Sequence, residues 1–197
     1  MNKEEKKSNK TEAKPTKIDN SHQWDVDYLI EQFAKESDRA AVILVASIID
    51  GNLETLLKSH LVPIPTSKDS LFDSATSPLS NFSSKIDLAY RVGLISSKFC
   101  RDLHLLRKIR NSFAHDIYGC AFDSGSVKAR VRELENSFSN RVYEEKEAIR
   151  KRRNDDLLNG TRGSFLFMTT SMIWEISDLI KESNELSPSE NEFFYET

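Results

Sequence analysis

The sequence predicts an all-α fold, a bundle of about six helices with polar tails at both ends. Apolar residues recur at helical spacing in several separate segments. No alternating apolar and polar stretch is long enough to predict a strand. Capping residues and breaks rich in Gly, Pro or Ser separate the segments, which is typical of a helical bundle.

One domain between two tails is the predicted organisation. A chain of 197 residues is long enough for one domain with its own hydrophobic core. Residues 1–20 are polar and almost without hydrophobic side chains, so we predict that they are disordered. Residues 185–197 form an acidic tail, and residues 21–184 form the predicted helical domain.

The first two helices precede a long loop. We predict an amphipathic helix over residues 24–35 and a second helix that begins after Ser37, a favourable N-cap. The second helix extends to about residue 61, and its run 40–49 is apolar all round, which is typical of a central buried helix. Residues 62–81 are rich in Pro, Ser and Asp and predict a long loop, with Leu71 and Phe72 as its anchor in the core.

The second half of the chain predicts further helices separated by Gly and Ser residues. We expect Met168, Met172 and Trp174 of the last helix, and Trp24 of the first, to lie in the core. The remaining predicted helices cover residues 83–93, 96–117, 126–155 and 163–182.

Composition limits the classes of function. Residues 1–17 contain no apolar segment typical of a signal peptide, and the longest apolar run, 40–46, is far shorter than the ~20 residues of a membrane span. We therefore expect a cytoplasmic protein without a membrane segment. The net charge of −3 does not favour a general DNA-binding surface. Cys100 and Cys120 are not in a CxxC pair, and neither is assigned a His at metal-ligand spacing, so we expect free thiols, no metal and no cofactor.

The predicted helix 96–117 carries an arginine within an apolar stripe. Phe99, Leu103, Leu106, Arg110, Phe113 and Ile117 are spaced 4, 3, 4, 3, 4 and therefore share one face. A buried guanidinium needs a partner. Arg110 therefore either pairs with an acid or lines a cleft open to solvent or to an anion; the candidate acids are Glu36, Asp38, Asp50 and Asp87.

A second face of the same helix is rich in cations and imidazoles. His104, Lys108, Asn111 and His115 share this face, and Arg107 borders it. His104, Arg107 and Lys108 are candidates to bind an anion or RNA. The opposite interpretation is structural, with His115 interacting with the last carbonyls of its own helix.

Arg110, Asn111 and His115 together suit metal-independent RNA cleavage. A histidine can take the proton of a ribose 2′-hydroxyl, and an arginine can bind the phosphate as negative charge develops on it. In an ideal helix His115 lies about 140° from Arg110, so the two meet only if the helix unwinds or if two chains contribute. Glu36, Asp38 and Arg39 are candidates to support such a site from a neighbouring helix.

Three blocks in order, 36–62, 71–96 and 101–115, closely resemble the MtlR family, named after the mannitol operon repressor. The resemblance covers roughly residues 24–140. It implies an all-α fold and negative regulation of sugar-alcohol uptake and use. Because no helix-turn-helix is recognisable, we expect action through an unknown protein partner, as a homodimer, rather than by direct DNA reading.

The block IRNSFAH is also similar to the signature of HEPN domains, helical bundles that often dimerise. That resemblance implies a metal-independent endoribonuclease, of the toxin or defence kind, in which Arg110 binds phosphate, Asn111 supports it and His115 acts as acid and base. A non-catalytic RNA- or nucleotide-binding module is a weaker alternative. The regulatory interpretation predicts no enzyme activity, and the ribonuclease interpretation predicts that Arg110 and His115 are essential.

Overall fold

The computed structural model describes residues 26–116, 119–138, 144, 146–149, 151 and 156–188. Within these ranges the chain is helical with turns and loops and contains no strand, which confirms the predicted all-α class. The helices with described bounds are α1 (Val26–Ala34), α2 (Asp38–His60), α3 (Phe82–Arg91), α4 (Ser97–His115), α5 (Gly125–Glu135) and α6 (Gly160–Glu182).

Helix α2 is the centre of the bundle. The Ser37 side chain accepts a hydrogen bond from the amide of Ala40, which confirms Ser37 as the predicted N-cap of α2. Helices α1, α3, α4 and α6 all pack against α2. Among the described helices, α2 alone is long and apolar enough to cross a membrane by length and composition, and it packs against four other helices.

Three aromatic rings connect helix α4, the loop before α5 and helix α6. Phe113 of α4 lies 5.2 Å from Phe122 between ring centroids, and Phe122 lies 5.0 Å from Phe165 of α6. All three side chains are buried. Phe122 is therefore held between α4 and α6, and tilted rings at these separations pack favourably.

The long connection between α2 and α3 is anchored by one aromatic side chain. Phe72 is buried and lies under the ammonium group of Lys58, which is 4.9 Å from the ring centroid. The anchor predicted for Phe72 is confirmed, whereas Leu71 is exposed. Asn81 caps α3 by accepting from the amide of Ser84, so α3 begins slightly before the predicted start at residue 83.

Two predictions about the second half are wrong. The predicted continuous helix 126–155 is interrupted, because α5 ends at Glu135 and a turn follows in which Ser137 donates a 2.6 Å hydrogen bond to buried Asp102 of α4. Trp174, predicted in the core, is 50% exposed because α6 turns its other faces to the bundle. Met168 and Met172 are buried as predicted, and Trp24 lies outside the described residues.

Candidate functional site: a cationic cavity on helix α4

A cavity of 340 Å³ lies where α2, α4 and the start of α3 meet. Helix α4 contributes Arg107, Arg110 and Asn111 to its wall. The other lining residues are Ala46, Ser47 and Asp50 of α2 and residues 80–83 around the start of α3. Part of the predicted site on α4 therefore borders a real concavity.

Arg110 is exposed and borders this cavity. Its Nη1 donates a 3.1 Å hydrogen bond to Oδ1 of the adjacent Asn111. The sequence left two alternatives for this guanidinium, a pair with an acid or a place in a cleft, and the structure places it in the cleft. The amide of Asn111 holds one donor, and the remaining guanidinium donors face a region open to solvent, where an anion or an acidic side chain could bind.

The acids considered as partners of Arg110 are engaged by other cations. Asp50 lies 3.1 Å from the ammonium group of Lys85. Asp87 lies 3.0 Å from the imidazole of His104. Asp38 lies 2.9 Å from Nε of Arg162. Arg110 is therefore not neutralised by any of these three carboxylates.

Arg107 adds a second guanidinium to the same wall. Its Nε atom is buried and has no hydrogen-bond partner among the described residues. Because buried donors in folded proteins are nearly always satisfied, this nitrogen is a position where a ligand or water is expected. The first turn of α3 also borders the cavity, and a helix N-terminus favours negative charge.

Among the described residues that line the cavity, Asp50 is the one with an acidic side chain. Its partner Lys85 is itself buried and also donates a 2.8 Å hydrogen bond to Glu54. Burial opposes ionisation of Glu54, but the hydrogen bonds from Lys58 and Lys85 outweigh it and lower the pKa of this carboxyl. The carboxylates of Asp50 and Glu54 are thus directed to lysines, and the two arginines dominate the opposite wall.

His115 does not join Arg110 within one chain. Helix α4 remains regular through His115, which is its last residue and is exposed. The two side chains therefore keep the separation of about 140° around the axis that an ideal helix imposes. Ile117, the last member of the predicted apolar stripe, lies outside the described residues. Lys108 is exposed on the same helix.

The residues proposed to support Arg110 and His115 have other contacts. Arg39 donates from Nη2 to the carbonyl of Asp116, the C-cap of α4, so it reaches the end of the helix that carries His115. The main-chain carbonyl of Glu36 accepts a 2.6 Å hydrogen bond from Arg162. Glu36 and Asp38 therefore belong to a contact with α6, away from the cavity lining.

The structure also brings together three side chains that the sequence analysis did not combine. His104 was predicted on the cationic face, but its Nε2 lies 3.0 Å from Asp87 of α3. Cys100 lies beside them, and burial together with Asp87 raises the pKa of its thiol. The spacing of four residues between Cys100 and His104 was the available signal, and the statement that no His lies at ligand spacing was wrong.

Comparisons with known proteins add one likeness. The fold is similar to that of MtlR in the X-ray structure of the MtlR-HPr complex from Escherichia coli, with a TM-score of 0.54 and 18% sequence identity. The likeness covers 77% of this chain and 98% of that chain. No protein-family profile matches the sequence, and no curated protein matches it. At this identity the likeness shows a shared fold.

Proposed function

We propose that this chain is an MtlR-like regulatory protein that acts by binding a protein partner of the HPr kind. The observation that carries the proposal is the fold likeness to MtlR, which spans nearly the whole of a chain that was solved with a bound protein. In this proposal the protein is cytoplasmic and represses a sugar-alcohol operon through its partner.

The cationic cavity is the part of the surface that we assign to the partner. Arg110 and Lys108 are exposed, and Arg107 retains a buried donor without a partner among the described residues. Charged groups of this kind accelerate association with a partner of opposite charge and fix its orientation. The partner group that enters the cavity is therefore an acidic or otherwise anionic one.

Direct reading of DNA is not part of the proposal. The chain as a whole is slightly acidic, with a net charge of −3. Among the cations of α4, Arg101 donates to Asp102 and Ser137, so intramolecular hydrogen bonds already engage its guanidinium. A short cationic wall in a cavity suits a protein side chain better than an extended phosphate backbone, which requires many contacts.

The test is binding of purified HPr to the full chain, measured by isothermal titration calorimetry. The HPr should come from the organism that encodes this chain. We expect Arg110→Glu to weaken binding by at least about tenfold, since reversal of an interfacial charge typically costs more than 1.4 kcal/mol. Lys35→Glu is the matched control, because Lys35 is exposed beyond the end of α1 and outside the cavity. A folded wild type that does not bind HPr would contradict the proposed partner.

The ribonuclease is the second candidate, and one observation favours it: Arg110 and Asn111 border an open cavity. Since His115 is distant around the helix, this candidate requires a homodimer in which His115 of one copy approaches Arg110 of the other. The weaker alternative, RNA or nucleotide binding without turnover, uses Arg107, Lys108 and Arg110 alone. Cleavage of RNA that requires both Arg110 and His115 separates the ribonuclease from the other two candidates, and salt-dependent RNA binding without cleavage separates the weaker alternative from the regulatory protein.

A further inference from the structure

Asp87, Cys100 and His104 form a compact cluster outside the cavity lining. One ligand atom from each residue (a carboxylate oxygen, the thiol sulfur and an imidazole nitrogen) lies within 4.8 Å of the other two. Cys100 and His104 are one helical turn apart on α4, and Asp87 faces them from α3. The pairing of Asp87 with His104 joins residues 17 positions apart, so the packing of the two helices creates the cluster.

The donor set has the chemistry of a zinc ligand set. Thiolate, imidazole and carboxylate are the ligands that Zn²⁺ takes in proteins, at bond lengths of about 2.0–2.3 Å. In a tetrahedral site of that size, neighbouring ligand atoms are about 3.3–3.8 Å apart. The Asp87–His104 pair, at 3.0 Å, is slightly closer than this, and the remaining spacings, all within 4.8 Å, exceed it by at most about 1.5 Å. Rotation of the side chains can close such a difference.

Charge and access also fit a cation. A thiolate and a carboxylate together offset the charge of a divalent ion, and the imidazole remains neutral as a ligand. The side chain of Asp87 is 61% exposed and that of His104 is 25% exposed, so an ion can enter from solvent. An ion pair explains the position of Asp87 and His104, but it does not explain the thiol beside them.

We propose that Asp87, Cys100 and His104 bind a divalent cation of the zinc class, with the fourth position taken by water or by a group of a partner. The site clamps α3 to α4, the two helices that also contribute walls to the cationic cavity. Occupancy therefore stabilises the relative position of Asn81, Arg107 and Arg110. The proposal does not depend on the identity of the protein partner.

The test uses Co²⁺ as a spectroscopic probe on the full chain, purified with a chelator and a non-thiol reductant and then freed of chelator. We expect a thiolate-to-cobalt charge-transfer band and the intense visible bands of a tetrahedral ion, both removed by stoichiometric Zn²⁺. Cys100→Ser should abolish the charge-transfer band. Asp87→Asn and His104→Ala should weaken Co²⁺ affinity by at least about tenfold, the lower range for loss of outer partners of a metal site.

Cys120→Ser is the matched control, since Cys120 is the other thiol of the chain and is similarly half-buried. This variant should keep the charge-transfer band, and Zn²⁺ should protect its remaining thiol, Cys100, from alkylation. Circular dichroism verifies that each variant keeps its helices. The proposal is overturned if folded wild type gives no thiolate band at millimolar Co²⁺, or if the band survives Cys100→Ser.

Discussion

Arg162 of α6 and Asp38 of α2 form an ion pair in which Nε lies 2.9 Å from Oδ1. The same guanidinium donates to the main-chain carbonyl of Glu36 at 2.6 Å and to that of Ala34 at 3.3 Å. Arg162 thus satisfies carbonyls left open at the end of α1 and a carboxylate in the first turn of α2. One side chain of α6 holds the connection between the first two helices.

Arg162→Ala should lower the free energy of unfolding by about 1–3 kcal/mol, because several carbonyls and a carboxylate lose their donor together. Arg162→Lys is the control and should recover part of the loss, since it keeps the charge but not the forked geometry. Urea denaturation followed by circular dichroism measures both variants. An alanine variant as stable as wild type would mean that solvent replaces these contacts without cost.

Gly163 is a second position where a small change has a large expected effect. A Cβ atom added there would overlap the backbone of Leu158, which cannot move as a flexible side chain can. We expect Gly163→Ala to destabilise the protein by about 1–3 kcal/mol, even though alanine is the better helix former.

Gly51 of α2 provides the matched control for this prediction. Among the described residues, no atom other than the neighbouring backbone of α2 itself lies within 4 Å of a Cβ added at Gly51, so Gly51→Ala should stabilise by up to about 1 kcal/mol. Thermal unfolding of both variants should therefore shift in opposite directions from wild type. Equal shifts would show that the close approach of Gly163 to Leu158 does not limit the packing of α6.

The burial of Asp102 should make the free energy of unfolding depend on pH in a specific direction. Burial raises the pKa of this carboxyl, although hydrogen bonds from Ser137 and Arg101 oppose the rise. The folded state therefore takes up the proton at a higher pH than the unfolded state does, and protonation of this group favours folding.

The measurement compares wild type with Asp102→Asn, which keeps an acceptor for Ser137 and cannot ionise. The free energy of unfolding of wild type, relative to the variant, should rise as the pH falls through the raised pKa of Asp102 and level off below the ordinary aspartate range. A difference that falls with decreasing pH would mean that the hydrogen bonds outweigh burial and that the pKa is lowered.

The ribonuclease candidate makes a separate prediction about Arg110 and His115. If it holds, wild type cleaves mixed RNA in the presence of EDTA and leaves 2′,3′-cyclic phosphate ends, and Arg110→Ala and His115→Ala each reduce the rate by at least about 100-fold. An equimolar mixture of the two inactive variants should recover part of the activity, because mixed dimers carry one complete site. Absence of cleavage by folded wild type would exclude this candidate.

Local sequence patterns predicted much of the fold. The apolar run of α2 indicated a central helix, and Ser37 and Ser96 were recognised as N-caps because capping depends on residues within one turn. The same local reasoning failed at Trp174, whose apolar character suggested burial, and after Glu135, where a bond to a different helix accompanies the end of α5.

The candidate site could be predicted only in part, for a similar reason. The sequence singled out Arg110 as a cation within an apolar stripe, and Asn111 and Arg107 on or beside the cationic face of the same helix. It did not indicate that residues around Asn81 would complete the wall of their cavity. Nor did it indicate which cation each acid would select, since that choice depends on side chains from separate helices.

The sequence by itself therefore determined the helical class, the central place of α2 and the presence of cations along α4, all of which follow from periodicity and capping within a helix. Only the tertiary structure decided that Arg110 lines a cavity, that Asp38 pairs with Arg162, and that Asp87 lies beside Cys100 and His104. Such neighbours are set by the angle and register at which helices pack. These depend on the fit of the whole core and not on any one segment.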